Sequence, residues 1–120
     1  MNIQEFASLL FEIEVNAHIA HLQATGVGSY AKHGALDGLY KAMPELRDHF
    51  LEDAQGVVGI IKKYPPIKIY EEVDIISYLR TKSNAIAEYR LTLKEGFLQQ
   101  DIDDILSEIS STLYKLVNLQ

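Results

Sequence analysis

Two histidines twelve residues apart, His21 and His33, bracket a Gly-Val-Gly-Ser turn, and Asp37 follows the second by four. On a helix, residues four apart share a face, so His33 and Asp37 present an imidazole and a carboxylate together. Asp48 and Glu52 repeat that spacing further along. The eleven residues from Asp37 to Asp48 make about three turns, so both pairs point nearly the same way, about 16 Å apart along the axis. Such donors bind metal ions, but one ion cannot be reached by both pairs of a single straight helix. An antiparallel two-fold dimer, with its axis near Ala42 and Met43, removes the difficulty and creates two equivalent sites. His21 returns beside His33 across the turn. The expected ligand set is then His21, His33 and Asp37 of one chain with Asp48 and Glu52 of the other. Two imidazoles and three carboxylates suit iron, manganese or zinc, and an open, carboxylate-bridged set favours iron redox chemistry.

The elements that must hold these residues read as helices. Phe6, Leu9, Leu10, Ile13, Ala17 and Ala20 recur at three- and four-residue spacing, predicting a helix over about 3–24. Asn2 followed by Glu5 predicts a capping box at its start. A second helix is predicted from Ser29 as N-cap, with a kink at Pro44 and a weak far end at Gly56 and Gly59. Pro65-Pro66 stops it. A third is predicted over about 70–94, with Glu71 and Glu72 near its start and Gly96 closing it. A fourth begins near Gln100 or Asp101. Residues 1–120 thus read as one all-α domain, a four-helix bundle.

At the metal-ligand positions the chain resembles the Dps family, the miniferritins of the ferritin-like superfamily. That family carries a His-Trp-Asn-Val-x-Gly-like segment, then Leu-His-Glu-x-x-Asp/Glu-x-x-Tyr, then Asp-x-x-x-Glu. His21, Gly26, His33, Asp37, Tyr40, Asp48 and Glu52 match it without a gap. The likeness continues weakly to "QQDIDDILSEISSTLYKLVNL" at the C-terminus, with its specific part confined to residues 21–52. The resemblance implies a ferroxidase site at a two-fold interface, built from the five ligands above. It implies oxidation of Fe(II) by peroxide or oxygen, in a dodecamer that stores the mineral and counters oxidative stress. Departures from the pattern are Leu22 in place of an aromatic residue, a turn without proline, and Pro44 in the ligand helix.

The resemblance also sets a test of topology. Ferritin-like bundles need a long crossover between helices 2 and 3, and this chain offers only a shortened connection, "VVGIIKKYPPIKIY". Fourteen residues span about 46 Å fully extended, enough only if the second helix ends near Gly56. A helix running to Lys63 would force an up-down-up-down bundle, or an exchange of helices 3 and 4 between chains.

Bulk properties restrict the alternatives. With no cysteine, disulfides and thiolate chemistry are excluded, which fits a cytoplasmic protein. Net charge is −6, and no lysine-rich tail precedes the first helix, so coating of DNA is not expected. No apolar run approaches a membrane span, and residues 1–6 lack the basic flank of a signal peptide. A second function class is a metal-free helical interaction protein, for example a phage adaptor or inhibitor, using "KKYPPIKIY" as its contact surface. A third, a magnesium-dependent hydrolase, calls for fewer histidines. His18 is read as a surface or supporting residue. His49 is read as pointing elsewhere, and Glu12 and Glu14 as solvated.

Overall fold

The structure, a computed structural model, describes residues 1–71 and 74–119. Four helices account for most of them: α1 Ile3–Gln23, α2 Ser29–Val58, α3 Ile75–Arg90 and α4 Gly96–Asn118, with no strand among the described residues. The capping box is formed. The Glu5 N–H donates to Asn2 Oδ1 at 2.8 Å, and the Asn2 N–H donates to Glu5 Oε1 at 2.9 Å. The turn into α2 needs Gly26 and Gly28, which take φ of +86° and +79°. Gly28, rather than Ser29, is the N-cap, and Ser29 is the first helical residue. α2 runs through Pro44 and Gly56 and stops at Gly59, whose φ is +89°.

α2 therefore ends close to where a crossover requires. α1 packs on α2 and α3, and α4 packs on α2 and α3. Among the described residues the backbones of α1 and α4, and of α2 and α3, do not approach closely, so those pairs are the diagonals of the bundle. Tyr78 and Lys82 of α3 reach Glu12, and Tyr89 further along stacks on Phe6. Thus α3 runs against α1 and parallel to α2. α4 runs against α2, with Asp101 beside His49. The result is an up-down-down-up four-helix bundle with one long crossover, the connectivity of ferritin-like folds.

The crossover has no regular structure of its own and is held by α1 side chains. Ser8, Glu12 and Asn16 are buried polar residues at spacing four, so they form one stripe. Ser8 Oγ donates to the Pro65 carbonyl at 2.7 Å. Glu12 Oε1 accepts from the Lys68 N–H at 2.9 Å. Asn16 donates to the Lys68 carbonyl at 2.8 Å and accepts from the Tyr70 N–H. Tyr78 and Lys82 complete the Glu12 shell. Burial alone would push the Glu12 carboxyl up, but the Lys68 N–H, Lys82 and Tyr78 outweigh it and hold it below the ordinary value. Glu12 is therefore a clasp and not a solvated acid. "KKYPPIKIY" likewise lies along α1 as the crossover, with Tyr70 buried and Tyr64 edge-on to Phe11.

Both ends of α3 and the start of α4 differ from expectation. α3 begins at Ile75 because Asp74 caps it, its Oδ1 accepting from the Ile76 N–H at 3.0 Å. Glu71 precedes the helix, and Glu72 lies outside the described residues. Gly96 opens α4 instead of closing α3, since α3 ends at Arg90 in a turn where Thr92 Oγ1 donates to the Tyr89 carbonyl. The core is continuous: Phe6, Leu10, Ile13, Leu39, Met43, Phe50, Leu79, Ile102, Ile105 and Ile109 are fully buried. No helix of the described residues is long and apolar enough to cross a membrane.

Candidate metal centre

The α1–α2 hairpin brings three of the expected ligands together. The His21 and His33 rings stack with centroids 3.7 Å apart, and His21 Nε2 stands 3.5 Å from Asp37 Oδ1. The His33 Nδ1–H donates to the His21 carbonyl at 3.2 Å. That bond keeps the proton on Nδ1 and leaves the Nε2 lone pair available, the way ligand histidines are usually oriented. His21 is buried, and both its ring nitrogens lack any hydrogen-bond partner. Burial first, and the neighbouring His33 second, hold its pKa below the ordinary imidazole value. It is therefore neutral, as a metal ligand must be.

Asp37 is more fully partnered. Oδ1 accepts from Tyr40 OH at 2.9 Å, and Oδ2 from Lys41 Nζ at 3.0 Å. Lys41, then Tyr40, lower its pKa, so the carboxylate stays ionised. His18, exposed as expected, stacks flat on Tyr40 at 3.9 Å and so supports the same corner.

Asp48 and Glu52 are exposed further along α2, outside this cluster. Asp48 accepts from Arg47 Nε at 3.0 Å. Arg47 is buried, pairs with Glu14 of α1, and lies 4.1 Å from the Phe11 ring centre. Glu14 is thus tied to Arg47 and is not a free solvated acid. The dimer axis also needs correction. Met43 is completely buried in the bundle and cannot lie at a surface. By helical periodicity the stripe shared by His33, Asp37, Asp48 and Glu52 passes instead through Lys41 and Pro44.

A second cluster escaped the sequence. His49, read as pointing elsewhere on the helix than Asp48, faces α4. Its Nε2 is 3.2 Å from Asp101 Oδ1 and 3.6 Å from Asp53 Oδ2. Among the described residues this is the group whose ligand atoms all lie within 4.8 Å of one another. The i, i+4 spacing of His49 and Asp53 was a visible signal, but Asp101 is 48 residues beyond Asp53, and only the fold supplies it. Asp101 is buried, and its Oδ2 has no hydrogen-bond donor. Burial and the Asp53 carboxylate push its pKa up to about 6.

That shift gives a pH prediction with a definite sign. The folded value lies above the ordinary 3.8, so the folded state binds more protons between about 4 and 6. The metal-free protein should lose stability through this carboxyl as pH rises across that window. Urea unfolding of Asp101→Asn and the unsubstituted protein should coincide below pH 4. The variant should become the more stable of the two by pH 7, and a constant difference at all pH values contradicts the assignment.

Residues 21–116 match a protein family described as a family of unknown function, DUF5856. No curated protein and no solved structure matches the chain. The matched stretch holds both histidine clusters and covers most of the bundle, and the chain belongs to the DUF5856 family.

Proposed function

We propose that this protein is an iron-binding ferroxidase of the Dps or miniferritin type, acting in the cytoplasm as a two-fold dimer or a larger homo-oligomer up to the dodecamer. The observation that carries this reading is His21. A buried neutral imidazole with neither nitrogen hydrogen-bonded is costly by roughly 1–3 kcal/mol, and a cation beside His33 and Asp37 would satisfy it. The ferritin-like connectivity supports the same reading. Fe(II) is the substrate, with Mn(II) and Zn(II) as alternative occupants. His21, His33 and Asp37 would hold it from one side, and Asp48 and Glu52 of the partner subunit from the other. Two Fe(II) ions lose one electron each, and peroxide takes both electrons with two protons to give two waters. The chain's part is to bind the ions, neutralise their charge and leave positions open to the oxidant.

Anaerobic loading with Fe(II), followed by peroxide or oxygen, tests this through near-ultraviolet absorbance. His33→Ala, an exposed substitution, should slow oxidation at least about tenfold. Asp48→Ala should do the same. Mixing the two variants should restore about a quarter of the sites, because each mixed dimer contains one intact site. Normal oxidation by His33→Ala alone rules the reading out.

One contact favours a metal-free helical interaction protein instead: Lys41 Nζ already sits on Asp37 Oδ2, where a cation would bind. Lys41 is largely exposed, and its side chain is free to leave. If it merely competes, Lys41→Gln binds Fe(II) more tightly. If the corner never holds metal, neither protein responds to Fe(II).

A further inference from the structure

We infer that His49, Asp53 and Asp101 form a separate metal site within one chain, between α2 and α4, for a divalent first-row ion such as Zn(II) or Mn(II). The site is independent of the hairpin histidines. His49, Asp53 and Asp101 lie on the α4 side of α2, whereas Arg47, two residues before His49, turns toward Glu14 of α1. Donor atoms each about 2.1 Å from one ion, at angles of about 90–110°, stand about 3.0–3.4 Å apart. The 3.2 Å and 3.6 Å separations from His49 Nε2 need little adjustment to meet that.

Charge and burial point the same way. Two carboxylates face each other with an imidazole as the neighbouring cation or ligand, and the deeper acid, Asp101, is only 5% exposed. A proton on His49 would bridge to Oδ1 of Asp101 and to Asp53, but would leave Asp101 Oδ2 without a partner. A divalent ion satisfies both carboxylates at once. The groove beside it, lined also by Glu45, Asp104 and Glu108, gives an open acidic entry, and His49 itself is 65% exposed. One nitrogen and two oxygens leave coordination positions for water, and that donor set ranks Zn(II) above Mn(II).

The test uses metal-free full-length protein carrying His33→Ala, so that the hairpin site is disabled. Isothermal titration with Zn(II) at pH 7.5 should give one ion per chain, with a matching rise in melting temperature. Adding Asp101→Asn should weaken binding at least tenfold and abolish the rise. The amide can donate to Asp53, so this variant should fold at least as well as its parent. His49→Gln, at an exposed position, should weaken binding comparably. No Zn(II) binding in the His33→Ala protein overturns the proposal, and so does equal affinity in the Asp101→Asn or His49→Gln protein. Neither result bears on iron oxidation at the hairpin, which is read with His33 intact.

Discussion

Replacing Phe6 with alanine should cost about 3–5 kcal/mol, the usual range for deleting a fully buried aromatic ring. Phe6 has no exposed surface. It stacks on Tyr89 of α3 with centroids 4.0 Å apart and meets Phe50 of α2 edge-on at 5.2 Å. One ring therefore joins three helices at the end of the bundle away from the histidine hairpin. Its removal leaves a cavity that two aromatic neighbours on separate helices cannot both close. Equilibrium urea unfolding, followed by far-ultraviolet circular dichroism, measures the effect. Phe6→Leu should cost markedly less, since it keeps most of the apolar volume. A loss under about 1 kcal/mol for Phe6→Ala would mean that the first turns of α1 are not docked as described.

Asn16→Ala should follow closely, at about 2–4 kcal/mol, although it removes few atoms. The amide holds the Lys68 carbonyl, the Tyr70 N–H and the Tyr78 hydroxyl together. Alanine strands the two main-chain groups beneath the crossover, and each unsatisfied buried group costs roughly 1–3 kcal/mol. The distinguishing readout is local. Amide exchange at Tyr70 should accelerate far more than exchange in α2 or α4. If exchange rises uniformly, the residue contributes only to global stability, and the clasp described above is wrong.

Four helices were legible in the residues, but their connectivity was left conditional on where α2 ends. Apolar spacing marks α1, Asn2 and Glu5 fix its start, and the length of the stretch around Pro65-Pro66 admits a crossover only when α2 stops near Gly56. The convergence of His21, His33 and Asp37 follows from a hairpin with a short glycine turn. What could not be read was what lies opposite. Gly96 looks the same at the end of one helix or the start of the next, and Leu98, buried one turn ahead of Ile102, decides the matter. Met43, flanked by Ala42 and Pro44, suits a dimer seam as well as a core, and its direction depends on which face of α2 receives α4. Ser8, Glu12 and Asn16 show helical spacing openly, yet three polar residues on one stripe normally mean solvent. Only the presence of an extended segment above them makes them ligands for main-chain groups. The partner of His49 was hidden for the same reason, because Asp101 comes from a helix far along the chain.

The clasp on α1 has a consequence for how this protein can vary. Ser8, Glu12 and Asn16 grip carbonyl and amide groups that every non-proline residue possesses, so they recognise a path and not a set of side chains. Lys62, Lys63, Tyr64, Pro66, Lys68 and Ile69 have exposed side chains along that path. Their identities are under little demand from the fold. The helix carries the instruction for where the crossover goes, and the crossover is left as a surface on which new sequences can be written without redrawing the bundle.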